Sequence, residues 1–414
     1  MIKDRPTDRK KRLLVTTSTF PKWENDSTPP FIYELSKRLT GQYEVHVLAP
    51  YSHGSKVYEE RDGLFIHRYK FFPAKKLFSD GAIIPSLRKN RLYYLQVPFF
   101  FIKQILEIRR LIKEYDIDFI QAHWIIPQGL VAVLYKKIFN RKIKITMTSL
   151  GADIFGLRGK IMTGLKKWAL NNSLGLVATS TVISKEAEKL GTNKNIPIEF
   201  IPMGSDISKC NPDSYDDNIK KKYNINGKFL LVVARLTEKK GIKYLLQAMP
   251  NVLKEFPDIK LIIIGDGEEK ESLHNLAKEL ELFDKSVLFI GSVPHSDLPR
   301  YYATCDILVG ASVIAEGGDS DGLPVAFIEA ICSGCVVLTT DMPTFSDLII
   351  DGKTGFTVKQ KDSAGISKKI IYILKNKEIY DKVSKDGRAF VLENFDWAVV
   401  ANKYLSFLER TYQR

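Results

Sequence analysis

Residues 310–341 read GASVIAEGGDSDGLPVAFIEAICSGCVVLTTD. Ile307, Leu308 and Val309 lead into this stretch as a short buried strand would. A polar loop carrying Glu316, Asp319 and Asp321 follows. Pro324 suits the first position of a helix, where its missing N–H costs nothing. The run VAFIEAICS (325–333) predicts that helix, and Gly334 suits the position just past its end. Val336 to Leu338 predicts the next strand. Strand, loop, helix, strand is a βαβ unit, whose loop lies where open parallel sheets bind ligands. The helix start offers unpaired N–H groups and the positive end of a dipole, which suit a phosphate. Asp321 in the loop and Glu329 in the helix are placed to meet a bound polyol.

The same unit recurs outward from there. RLLVTT (12–17), FIYELSKRL (31–39) and EVHVLA (44–49) read as strand, helix and strand around the Pro-rich loop STFPKWENDSTPP. KFLLVVARLTEKKG (228–241) ends a strand in a loop with Arg235 and Lys240, ahead of the helix IKYLLQAM. Arginine grips a diphosphate through two N–H groups and lysine acts as a point charge, so this pair suits a pyrophosphate. KLIIIGDGEEKESL (260–273) carries Gly265-Asp266-Gly267 but lacks the third glycine of a dinucleotide fingerprint, which weighs against a dehydrogenase.

Three of these segments carry a resemblance. DGLPVAFIEAICSG resembles the acid-x7-acid signature of the retaining glycosyltransferases of family 4, with Asp321 where glutamate is usual and Val336 where proline often stands. ARLTEKKGIKYLL is similar to that family's GRLxxxKGxxxLL, and the TFP at 19–21 to the first loop of one of its branches. The resemblance implies an α/β chain of GT-B fold, two Rossmann-like doubly wound parallel-sheet domains facing a central cleft. Residues 1–208, completed by a terminal helix at 395–414, would form the acceptor-side domain, and 209–394 the donor domain. It implies a retaining, metal-independent glycosyltransferase that uses a nucleotide-diphosphate sugar as co-substrate and needs no cofactor. Arg235 and Lys240 would hold the diphosphate, with Asp321 on the sugar and Glu329 on the ribose. Backbone at Gly322 and Leu323 would assist, and Gly265 and Gly291 would lie near the nucleotide. His123, where the strand in DFIQAHW meets its loop, matches a histidine at the active-site edge of the first domain. Leu150 stands where the family often has a second histidine, in SLGAD.

Composition bounds the rest. A length of 414 residues favours two domains, and 44% hydrophobic with 27% charged residues is ordinary for a globular chain. No apolar run reaches the roughly 18 residues of a membrane span, and the charged N-terminal stretch lacks the apolar core of a signal peptide, so a cytoplasmic protein is expected. Of the +14 net charge, +8 falls within 61–115, where twelve Lys/Arg stand against four Asp/Glu among many aromatics. Two readings stand for that region. One is an interfacial surface on an anionic membrane, serving a glycan or glycolipid acceptor at the inner face. The other is an aromatic core behind a solvated basic face. Nucleic acid is not expected as a partner, since no nucleic-acid motif accompanies the charge.

Other features take the bland reading. Cys332-x-x-Cys335 has no second ligand pair and reads as buried thiols, not as a metal site. Asp116-x-Asp118 reads as turn acids, and Asp319-x-Asp321 falls short of a calcium loop. His295 reads as a surface residue of a helix-entry loop. The alternatives to sugar transfer are a nucleotide-sugar epimerase of the same fold and a non-enzymatic binder of anionic surfaces or nucleic acid.

Overall fold

The computed structural model describes residues 9–23, 26, 30–71, 91–156, 159–193, 195–316 and 321–413. Asp319, Phe72 and Phe78 lie outside them. The chain divides into two units, one of residues 1–204 with 397–414 and the other of 205–396. The boundaries expected from sequence are 208 and 395. Ser205 belongs instead with the second unit because its N–H donates to Phe395 O (2.9 Å) and it bridges Asp396.

The first unit is built on β1 (Lys11–Thr16), β2 (Tyr43–Pro50), β3 (Tyr58–Arg61), β4 (Leu64–Tyr69), β5 (Phe119–His123), β6 (Lys144–Ser149), β7 (Leu176–Ala178) and β8 (Ile198–Phe200). Their order across the sheet is β3-β4-β2-β1-β5-β6-β7-β8. Every pairing is parallel except β3 with β4 at the edge. The central strands are apolar at consecutive positions because both faces are covered. Leu14 and Ile120 join one core with the helix Val97–Tyr115, while Leu13 and Val15 join the other with Trp397, Tyr404 and Phe407. The helix Trp397–Tyr412 thus closes this unit: Tyr412 stacks on Phe119 at 3.9 Å and shares a 2.8 Å hydrogen bond with Thr146 Oγ1. Each large side chain buried there contributes about 2–3 kcal/mol of transfer free energy.

The aromatics of 61–115 divide by face. Tyr69, Phe71 and Phe100 are core, whereas Tyr94 and Phe99 are exposed. Asp116 and Asp118 are turn acids, both paired with Arg9 (2.9 and 3.3 Å).

The second unit carries β9 (Phe229–Val233), β10 (Lys260–Ile264), β11 (Val287–Gly291), β12 (Ile307–Gly310), β13 (Val336–Thr340) and β14 (Phe356–Val358), all parallel, in the order β11-β10-β9-β12-β13-β14. The chain starts mid-sheet, winds outward one way, then returns to wind the other way. Order therefore reverses between β9 and β12, and in the first unit between β1 and β5. In such sheets the crevice at the carboxyl ends beside the reversal is where ligands sit. The four cysteines are buried in this unit, with Cys305 Sγ and Cys335 Sγ 3.0 Å apart and Cys332 Sγ donating to Cys210 O (2.9 Å).

Candidate functional site

At the carboxyl end of β9 the chain turns through Arg235 and a 3-10 turn, Glu238–Lys240, into the helix Ile242–Glu255. Gly241 makes that turn with φ +59, and a Cβ there would stand 2.0 Å from Ala311 O, just after β12. Val313 N–H donates to Lys239 O (2.8 Å), so the loops after β9 and β12 are tied together. Gly265 does the same between β10 and β9. Its φ is +139, and a Cβ would meet Ala234 O at 1.9 Å. Its N–H donates to Gly291 O (2.9 Å), so Gly265 and Gly291 lie on one sheet edge with Arg235.

Asp321 is the node of this edge. Its carboxylate is 7% exposed and receives Lys240 Nζ at 2.8 Å, Ser312 Oγ at 2.8 Å and Lys239 Nζ at 3.9 Å. Sequence places Asp321 on a sugar, while the structure puts it against the lysine proposed for the diphosphate. Arg235 is held only loosely. Its side chain is 76% exposed, and Glu268 stands 3.6 Å away. Thr237 Oγ1, between the two cations, is buried without a hydrogen-bond partner.

Beyond Asp321, Gly322 and Leu323 run into the helix Val325–Cys332. Pro324 is its N-cap and not its first residue, with ψ 130, because its carbonyl is the acceptor for Phe327 N–H (3.1 Å). Among the described residues the amides of Gly322 and Leu323 donate to no protein acceptor. Glu329, one turn along, is buried, and its Oε1 lies 2.9 Å from His295 Nε2. Sequence reasoning missed that contact. His295 is on the surface as expected, yet it is also the partner of a carboxylate predicted to bind ligand. Tyr302 is buried beside Glu329, and burial, then the carboxylate's charge, holds its proton on well above the ordinary range.

The hydrogen bond to Glu329, ahead of the opposing effect of burial, raises the His295 pKa above the ordinary histidine value. A raised folded-state pKa means that the bond stabilises fully below the unfolded value of about 6.5 and is lost as pH rises through the folded value. We expect proton NMR to show His295 titrating above the reference, and Glu329→Gln to return it toward that reference. An unchanged titration in the variant would break the pair. The imidazole is mostly exposed, so the effect on stability is small.

In the first unit the corresponding edge holds His123, the last residue of β5. It is buried, its Nδ1 has no partner, and burial pushes its pKa down to about 3. The ring is therefore neutral and suits hydrogen bonding better than taking up a proton. The Gln128 amide lies between the ends of β5 and β1, and with its nitrogen turned toward His123 O (3.2 Å) and its oxygen toward Ser18 N–H (3.1 Å) both of its groups are satisfied. Asp153 plays a structural part. Its buried carboxylate accepts Ile125 N–H and Ser149 Oγ, each at 2.7 Å, and so fixes the turn after His123. Burial raises its pKa against those two bonds. Arg235, Lys240, Asp321, Gly322, Leu323, Glu329, Gly265 and Gly291 thus share the second unit, and His123 stands in the first. No group of three His, Cys, Asp or Glu that would hold a metal occurs among the described residues.

The family described as Glycosyltransferase Family 4 matches residues 30–209, and Glycosyl transferases group 1 matches 216–390. The GDP-mannose-dependent alpha-(1-6)-phosphatidylinositol monomannoside mannosyltransferase of Mycolicibacterium smegmatis is 22% identical over 389 residues, covering 93% of this chain and 95% of its own. The N-acetyl-alpha-D-glucosaminyl L-malate synthase of Bacillus anthracis is 23% identical over 353 residues, 82% of this chain and 88% of its own. In fold, the chain is similar to sucrose-phosphate synthase of Thermosynechococcus elongatus, with a TM-score of 0.75 at 18% identity over 97% of this chain and 100% of the other. Anabaena HepE in complex with UDP gives 0.73 at 16% identity, again over 97% and 100%.

Proposed function

Because this chain belongs to glycosyltransferase family 4, with the two parallel-sheet domains of the GT-B fold, we propose that it moves a sugar from a nucleotide-diphosphate sugar to an acceptor hydroxyl, keeping the anomeric configuration and using no metal. The observation that carries this is the cluster at the β9/β12 reversal, where an exposed guanidinium, an ordered ammonium and unpaired amides stand on one sheet edge. Arg235 and Lys240 take the diphosphate oxygens, and the Gly322 and Leu323 amides share the charge that develops as the bond from the anomeric carbon to the diphosphate breaks. The acceptor oxygen forms its bond on the face the diphosphate leaves, and its proton passes to the departing phosphate oxygen. Glu329, steadied by His295, accepts from the ribose hydroxyls. Asp321 reaches the sugar while holding Lys240. His123, kept neutral, hydrogen-bonds on the acceptor side.

The acceptor we infer is a lipid-linked or surface glycan at the inner face of a membrane. Support comes from the mannosyltransferase relative, whose name gives a phosphatidylinositol mannoside as acceptor, and from the basic, aromatic stretch 61–115. No helix of the described residues is long and apolar enough to cross a membrane.

The test is a thermal-shift panel of nucleoside diphosphates and their sugars, then transfer assays with NMR of the product anomer, with and without chelator. A raised melting temperature with at least one diphosphate and a retained anomer in chelator are expected. An inverted product, activity abolished by chelator, or epimerised donor formed without acceptor would each replace the proposal.

A further inference from the structure

The helix Val97–Tyr115 is apolar on two sides. Phe100, Gln104, Ile108 and Leu111 face the core. A second stripe, Phe99, Ile102 and Leu106, recurs at steps of three and four on another face, with Leu95 of the preceding 3-10 turn beside its start. Leu95, Phe99, Ile102 and Leu106 are 71, 54, 57 and 48% exposed. A surface helix ordinarily turns polar residues outward, and a contiguous apolar face on a folded domain marks a place where something else docks.

The surroundings say what that is. Between residues 97 and 142 eight Lys/Arg stand against four Asp/Glu. All four acids are engaged, Glu107 and Glu114 by Arg110 and Asp116 and Asp118 by Arg9. Among the described residues Arg109, Lys113, Lys137, Arg141 and Lys142 make no ion pair, and Arg109 and Lys113 continue the stripe along the same face. Arg109 also lies over the half-exposed ring of Phe139 at 4.5 Å, which extends the apolar patch onto the neighbouring helix beside exposed Ile138. On the stripe's other flank a cavity of about 540 Å³ is lined by Lys70, by Lys103 and Arg110 with their carboxylate partners Glu107 and Glu114, and by Tyr69, whose buried hydroxyl has no partner. An apolar stripe continued by unpaired cations, Arg109 and Lys113, with Lys137, Arg141 and Lys142 nearby in sequence, matches a bilayer with anionic headgroups.

We propose that this helix lies flat on an anionic phospholipid bilayer, with Leu95, Phe99, Ile102 and Leu106 inserted and Arg109 and Lys113 at the headgroups. The proposal deepens the lipid-linked acceptor reading above, on which it rests, by naming the docking face.

The experiment is vesicle flotation of the full chain, on phosphatidylcholine alone and on equal parts phosphatidylcholine and phosphatidylglycerol. Binding is expected only with phosphatidylglycerol and should fall as salt is raised. Phe99→Asp with Ile102→Asp, and separately Arg109→Glu with Lys113→Glu, should each weaken it by about tenfold or more. Both variants keep the thermal shift with nucleoside diphosphate, which shows that they fold. Three results overturn the proposal: no binding to phosphatidylglycerol vesicles, equal binding by the variants, or a dimer in light scattering that Phe99→Asp/Ile102→Asp dissociates. Loss of diphosphate binding in the unaltered chain would instead sink the sugar-transfer reading and leave vesicle binding standing.

Discussion

Arg235→Ala should lower kcat by about two to three orders of magnitude, the range for removing one donor aimed at developing charge. The melting temperature should barely move. The side chain is mostly exposed and has only a loose 3.6 Å neighbour in Glu268, a contact whose loss costs at most about 1 kcal/mol. Turnover and thermal unfolding on the same preparation check this together. A folded variant with near-normal turnover would take the diphosphate away from Arg235.

Asp321→Ala should behave in the opposite way and damage the fold as well as the chemistry. The carboxylate is the counter-charge for Lys240 at 2.8 Å and Lys239 at 3.9 Å, and it accepts from Ser312. Its removal leaves two ammoniums crowded at a largely buried spot. Breaking a fully buried pair costs about 3–5 kcal/mol, and the partial exposure of the lysines brings this to about 2–4 kcal/mol. Turnover should fall at least about a hundredfold, since Lys240 loses the group that aims it. A nucleoside diphosphate should still bind, because its phosphates replace the missing negative charge, and should recover part of the lost stability. Chemical denaturation with and without diphosphate measures both. An unchanged unfolding midpoint would show that Asp321 does not hold Lys240.

These two residues also show what the sequence could and could not disclose. Arg235 and Lys240 lie five positions apart across one turn, so their shared neighbourhood follows from local spacing alone. The tie from Lys240 to Asp321 spans three strands and three helices, and nothing in either segment announces it. The same holds for His295 and Glu329, thirty-four positions apart. A histidine entering a helix looks like any other surface imidazole until β11 and β12 are laid in one sheet. The strands themselves were legible because parallel strands covered on both faces are apolar throughout, as in KLIII and FLLVV. The region 61–115 resisted because the pattern there mixes two faces. Phe100 is core while Phe99, its neighbour, is at the surface, and a string of aromatics does not say which is which.

The return of Trp397–Tyr412 to the first unit bears on how the protein is made. Trp397, Tyr404, Phe407 and Tyr412 complete a core whose other walls are Leu13, Val45 and Val47, from the opposite end of the chain. During synthesis that core stays open while the entire second unit emerges from the ribosome, an interval on the order of ten to forty seconds at ordinary elongation rates. For that time the first unit's sheet is covered on this face only by Phe20 and the helix Phe31–Leu39 and leaves the rest of a greasy face open to water, the kind of surface that chaperones of nascent chains recognise.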